Sequence, residues 1–162
     1  MKNKTYRDYF LSEEAYARNK AKADKRIQTY DKAYMSNSKW KKLFSALFAN
    51  ADVVKHCEVI DFFGSSATTI KTDLGDIEPE KYIHNDCIDT MLLRKGEHPV
   101  SFREIEYLEF RKHGRNEEAK EGGSEKGLSE QDLGKIKEAI EKTGRYEWEV
   151  TEEYIRILGY NQ

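Results

Sequence analysis

Phe102-Arg103-Glu104-Ile105-Glu106-Tyr107-Leu108-Glu109-Phe110 decides how this chain folds. The stretch is aromatic and branched, lacks Gly and Pro, and follows the turn signal Gly96-Glu97-His98-Pro99, so it reads as a strand. Side chains alternate along a strand: Ile105 and Tyr107 take one face, and Glu106, Leu108 and Phe110 the other. Apolar groups on both faces predict a central strand covered twice. A bulge that gathers the apolar groups on one face is the alternative.

Working outward, residues 82–93 are apolar but interrupted by Asn85-Asp86, which predicts a short strand centred on 88–93 that turns at Lys95-Gly96 into the central strand. Residues 53–63 and 67–74 read as two strands of a hairpin joined by Gly64-Ser65-Ser66. Before them, the cap cluster Ser36-Asn37-Ser38 precedes Trp40, Leu43, Phe44, Leu47 and Phe48, an amphipathic helix whose apolar stripe should lie on the sheet.

Residues 5–34 are helix-forming but thin in apolar groups, with none that is large between 17 and 26. They predict a charged helical arm over 1–35, partly mobile, ahead of a single domain over 36–162. Downstream, 116–126 is rich in Gly and charge and predicts a flexible insertion at about 115–127. Ser129 is the expected N-cap of a helix carrying Leu133, Ile136, Ala139 and Ile140, with Gly144 closing it. Tyr146, Trp148 and Val150 alternate with Glu147 and Glu149, and 154–160 forms the return strand. Strands come in groups instead of alternating with helices. The expected fold is therefore α+β, a mainly antiparallel sheet packed by helices, with an N-terminal helical arm.

The chain has 162 residues, enough for one sizeable core. No apolar run approaches a membrane span, Met1-Lys2-Asn3-Lys4 has no apolar stretch behind it, and two Cys cannot build a disulfide framework. The expectation is a cytoplasmic protein with reduced thiols and no cofactor. Its net charge of −2 conceals an asymmetry: residues 1–42 hold 12 Lys and Arg against 5 Asp and Glu, so the remainder is acidic.

Each candidate for chemistry has a plainer reading beside it. His56, Cys57, His84 and Cys87 include the spacing His84-x-x-Cys87, but neighbouring strand residues point to opposite faces, so His56 and Cys57 would not both join a zinc tetrahedron. A Cys–His nucleophile pair for a small hydrolase or nuclease could be drawn from Cys87 and His84 or His113, but free Cys is commonly buried and inert. Arg111, Lys112, His113 and Arg115 form a basic patch that could hold RNA phosphates beside Tyr107 or Phe110, or simply a solvated strand end. Glu147, Glu149, Glu152 and Glu153 gather on the last hairpin. Such an acidic strip can mimic phosphate and occupy a nuclease's basic site, or it can keep an edge strand soluble.

Three phrases carry a family resemblance: Ser38-Lys39-Trp40-Lys41-Lys42-Leu43-Phe44, the stretch Val100-Ser101 followed by the central strand, and 148–160 with its terminal Leu158-Gly159-Tyr160. Together they resemble small bacterial α+β proteins, many thought to be immunity partners of polymorphic toxins. The resemblance covers residues 36–160 and implies a protein that acts by binding, without catalytic residues. The expected function is thus a non-enzymatic immunity or inhibitor protein that covers the site of a basic toxin or nuclease, with Glu147, Glu149, Glu152 and Glu153 as the contact. The rival is a nucleic-acid-associated protein using the arm and the basic patch; membrane binding is not expected.

Overall fold

Trp40, Leu43, Phe44 and Leu47 recur at helical spacing. In the computed structural model, which describes residues 4–63, 68–94, 98–113 and 130–161, they form the buried face of helix α2 (Asn37–Ala49). Ser36 caps the helix: its side chain accepts a hydrogen bond from the Lys39 backbone N–H at 3.1 Å. Ahead of α2 lies α1 (Glu13–Ile27), and after it come β1 (Cys57–Asp61), β2 (Thr68–Ile70), β3 (Cys87–Ile88), β4 (Leu93–Arg94), β5 (Val100–Ser101) and β6 (Ile105–Arg111). Helix α3 (Leu133–Glu141) and the hairpin β7 (Trp148–Val150) and β8 (Tyr154–Leu158) complete the described elements.

The main sheet has six antiparallel strands in the order β4-β2-β1-β6-β8-β7, and β3 pairs with β5 in a separate ribbon. The fold is α+β, a sheet packed by helices. The central strand begins later than its composition suggests, because Phe102–Glu104 makes a 3₁₀ turn between ribbon and sheet. The bulge, not the doubly covered strand, resolves its mixed pattern. Ile60 pairs with Tyr107 but Asp61 pairs with Ile105, which leaves Glu106 as the extra residue. That slip of one brings Ile105 onto the same face as Leu108 and Phe110. All three are buried in one core with α2, α3 and Phe102, which stacks on Phe44 at 5.5 Å between ring centroids.

Two local expectations are corrected. Strand β4 sits at the far edge beyond β2, and does not run on into the central strand. Helix α3 starts at Leu133 and is capped by Asp132, whose carboxylate accepts from the Lys135 N–H at 3.1 Å; Ser129 lies outside the described residues. Gln131, just before the cap, is buried because its amide stitches three elements together: Nε2 donates to the carbonyls of Arg111 and His56, and Oε1 accepts from the Lys55 N–H. The Gly64-Ser65-Ser66 turn and the insertion read at 115–127 also fall outside the described residues.

Residues 17–26 bury little apolar surface, as their composition implies, yet the segment is held to the body. Ala23 is fully buried, and polar side chains tie the segment to the body. Asn19 donates to Glu104 at 2.7 Å, Asp24 pairs with Arg103, and Arg26 reaches Glu106. Tyr30 stacks on Phe62 and Tyr160, and the Tyr34 N–H donates to the Gly159 carbonyl at 2.9 Å.

Gly159 is where arm, bulge and last strand meet. Its N–H donates to the Glu106 carbonyl at 2.9 Å, and a Cβ there would lie 2.4 Å from the Ile105 carbonyl oxygen. Backbone cannot give way as a flexible side chain can. Gly159→Ala is therefore expected to cost roughly 1–3 kcal/mol by overpacking. The check is an unfolding midpoint together with amide exchange at Tyr34, which should accelerate as its acceptor moves. An unchanged midpoint would show that the bulge is soft enough to admit a methyl group.

Candidate protein-binding edge

Strand register lines up one polar residue from each strand of the sheet. Arg94 pairs with Thr69, Thr69 with Glu58, Glu58 with Glu109, Glu109 with Arg156, and Arg156 with Glu149. This row lies on the face opposite the helices. Like carboxylates sit directly opposite at Glu58 and Glu109, an arrangement that costs stability unless a cation joins them. Arg156 supplies one: its Nε donates to Glu109 at 2.9 Å, and its Nη1 reaches Glu149 at 3.3 Å. Arg111 adds a second contact to Glu109 at 3.0 Å. The Arg156 guanidinium lies between the rings of Tyr107 and Tyr154, at 4.2 and 4.3 Å from their centroids. Burial alone would depress its pKa, but the bond to Glu109, the Glu109 charge and the flanking Tyr107 and Tyr154 together outweigh this and the net direction is upward.

The row explains where the residues of the basic patch go. Arg111 is engaged by Glu109 and leans over Tyr154. Lys112, one residue past the end of β6, lies instead by Leu133 and Val150, and His113 is exposed in a bridge to Glu130. Arg115 lies outside the described residues. The three described members thus do not converge on one surface.

The acidic hairpin is arranged differently. β7 is the last strand of the sheet, and among the described residues no strand pairs with its outer edge. Glu147, Glu152 and Glu153 are exposed, and Glu149 is half-exposed. Glu149 is not a free carboxylate: it accepts from the Tyr154 hydroxyl at 3.2 Å and from Arg156. On the helix side of the same strand, Trp148 is half-buried beside Phe110 and Tyr146, while Val150 is 59% exposed. Alternation puts Val150 on the same side as Tyr146 and Trp148, but at the end of the strand nothing described covers it. It marks a cleft of about 640 Å³ between the start of α3 and the β7–β8 turn.

His56, Cys57, His84 and Cys87 do not assemble. His56 sits by Gln131 at the start of β1, whereas His84 and Cys87 lie in the ribbon under the arm. Among the described residues no group of three or more His, Cys, Asp or Glu is placed to hold a metal. His84 Nε2 contacts the Tyr9 hydroxyl at 3.0 Å, and that hydroxyl also donates to Asp89 at 2.5 Å. Burial pushes both thiols up, Cys57 well above the usual range, which keeps them in the un-nucleophilic thiol form. No helix among the described residues is long and apolar enough to cross a membrane.

Comparison with known proteins found no matching family model, no matching curated protein and no matching solved structure.

Proposed function

We propose that this protein is a non-enzymatic binding protein of the immunity or inhibitor kind, which neutralises a basic protein partner by covering that partner's site. The observation that carries the reading is the terminal hairpin of the sheet. Glu147, Glu152 and Glu153 project into solvent around a strand edge that no other described strand covers. Such a surface complements a cationic groove of the kind that holds nucleic-acid phosphates, and charge complementarity acts chiefly on the encounter rate. Arg111 supports the same reading against a nucleic-acid role, because a buried carboxylate already holds its charge.

The partner to test is the product of the gene adjacent to this protein's own. The full-length chain should bind it and suppress its toxicity or enzymatic activity. Reversing Glu147, Glu152 and Glu153 together to Lys should lower the association rate at least about tenfold at low salt, and the difference should shrink as salt rises. The unfolding midpoint should hardly move, since exposed charges contribute about 0–1 kcal/mol each. Glu149 is left out of this variant because it supports Arg156. An association rate indifferent to the triple reversal would remove the hairpin from the contact surface.

A further inference from the structure

The outer edge of β7 has a defined hydrogen-bonding register. The Leu158 N–H donates to the Glu147 carbonyl at 2.9 Å, and the Thr151 N–H to the Tyr154 carbonyl at 2.9 Å. Residues 147, 149 and 151 therefore spend their backbone groups on β8. In an antiparallel ladder the alternate residues, Trp148 and Val150, turn their N–H and C=O groups the other way, off the sheet. Soluble proteins commonly blunt such an edge with Lys or Pro. Here residues 146–151 contain neither, and Val150 stands 59% exposed on the edge.

The two sides of this edge differ. On the polar side stand Glu147 and Glu149. On the helix side the cleft has Leu133, Val150 and Ile155 as its apolar floor, and its rim carries both Glu152 and Lys137, so the cleft suits an apolar group more than a charged one. An added strand presents alternate side chains to these two sides. Its residues must therefore be cationic on one side and apolar on the other. A second copy of the chain fits poorly, because it would set Glu147 and Glu149 against their own like charges.

We infer that the outer edge of β7 captures an extended segment of alternating cationic and apolar residues as an added strand, with an apolar side chain seated in the cleft beside Val150. This rests on the reading that the protein acts by binding a protein partner, and it specifies how: by strand addition at Trp148 and Val150.

The probe is an end-capped peptide of alternating Lys and Val, titrated calorimetrically into the full chain at low salt, with an alternating Glu and Val peptide as control. The Lys peptide should bind and the Glu peptide should not, and amide exchange at Trp148 and Val150 should slow in the complex. Val150→Pro deletes an outward N–H and leaves the inward bonds of 147 and 151 in place, a position where edge strands tolerate proline. It should weaken binding at least tenfold. Two further peptides, N-methylated at odd or at even residues, test the same point on the unaltered protein: one should lose at least tenfold in affinity and the other little. If both N-methylated peptides bind like the parent, strand addition is overturned. Should the triple charge reversal still slow the natural partner in that case, the hairpin binds as a charged surface only, and the proposed function stands. Failure of the Lys peptide to bind at millimolar concentration also overturns the inference, and leaves the adjacent-gene partner as the separate test of function. A self-associated protein that Val150→Pro converts to monomer would overturn it as well, by giving the edge to a second copy.

Discussion

Arg156→Ala is expected to lower stability by about 3 kcal/mol, the low end of the roughly 3–5 kcal/mol lost when one partner of a buried ion pair is removed. Glu109, only 1% exposed, would keep Arg111, whose contact at 3.0 Å is the more solvated of the two arginine contacts. The stack between Tyr107 and Tyr154 and the link to Glu149 would go at the same time. Arg156→Lys should recover only part of the loss, because an ammonium neither stacks as a plane nor forks to two carboxylates. The decisive measurement is a double-mutant cycle in urea at constant slope. Glu109→Gln placed on Arg156→Ala should restore much of what the single change removes, since the penalty comes chiefly from the stranded carboxylate. If Arg156→Ala unfolds within about 1 kcal/mol of the natural chain, the contacts that remain to Glu109 suffice and the row is ornament. Arg111→Ala should cost less in either case, as its side chain is the more exposed.

The same residues show what a sequence can and cannot reveal. Helix α2 was legible because packing on a sheet demands an apolar stripe at helical period, and the side chains from Trp40 to Leu47 supply it. The last hairpin was legible because Glu147 and Glu149 alternate with Trp148 and Val150 around a polar turn. The bulge at Glu106 was visible only as an ambiguity: a single extra residue breaks the period of two, and which strand carries it depends on the partner. The ion pair between Glu109 and Arg156 depends on register between strands 47 residues apart, and no local pattern encodes that.

The arm illustrates a different limit. Apart from the stack of Tyr30 on Phe62 and Tyr160, its contacts with the body are polar and isolated: Tyr6 and Asn19 on Glu104, Tyr9 on Asp89, Asp24 on Arg103. Hydrogen bonds between residues about 80 positions apart leave no periodic trace in either segment, so a stretch that can be held only this way reads as loosely attached. Ala23, fully buried, is too small to announce an interface. At the candidate edge, the four glutamates were legible as an exposed group, but not the division of labour among them, because only the register with β8 commits Glu149 to Arg156.

Stability is expected to fall as pH rises from about 4.5 to 7, and Glu104 is the group responsible. Glu104 is 4% exposed beneath the arm, where it accepts from the Tyr6 hydroxyl at 3.1 Å and from Asn19 at 2.7 Å. Burial outweighs these donors, and with the nearby Asp61 charge it raises the carboxyl from its usual 4.5 to about 7. The folded protein therefore binds more protons than the unfolded chain across this interval. Its contribution is fully present below about pH 4.5 and is lost as the pH rises through about 7. A shift of that size corresponds to something on the order of 3 kcal/mol. Depressed acids such as Asp24 and Asp89 act in the opposite sense and at lower pH, since their contribution is lost as pH falls below the carboxylate range. The clean experiment is the difference between the natural chain and Glu104→Gln, measured by urea unfolding at pH 5 and at pH 7.5. Glutamine still accepts one of the two hydrogen bonds but cannot ionise. The natural chain should lose stability across the interval relative to the variant. Amide exchange over α1 should quicken with it, because the arm rests on the carboxylate that is being charged. Parallel pH profiles for the two proteins would mean that Glu104 stays ionised under the arm throughout, held by Tyr6 and Asn19 against the cost of its burial.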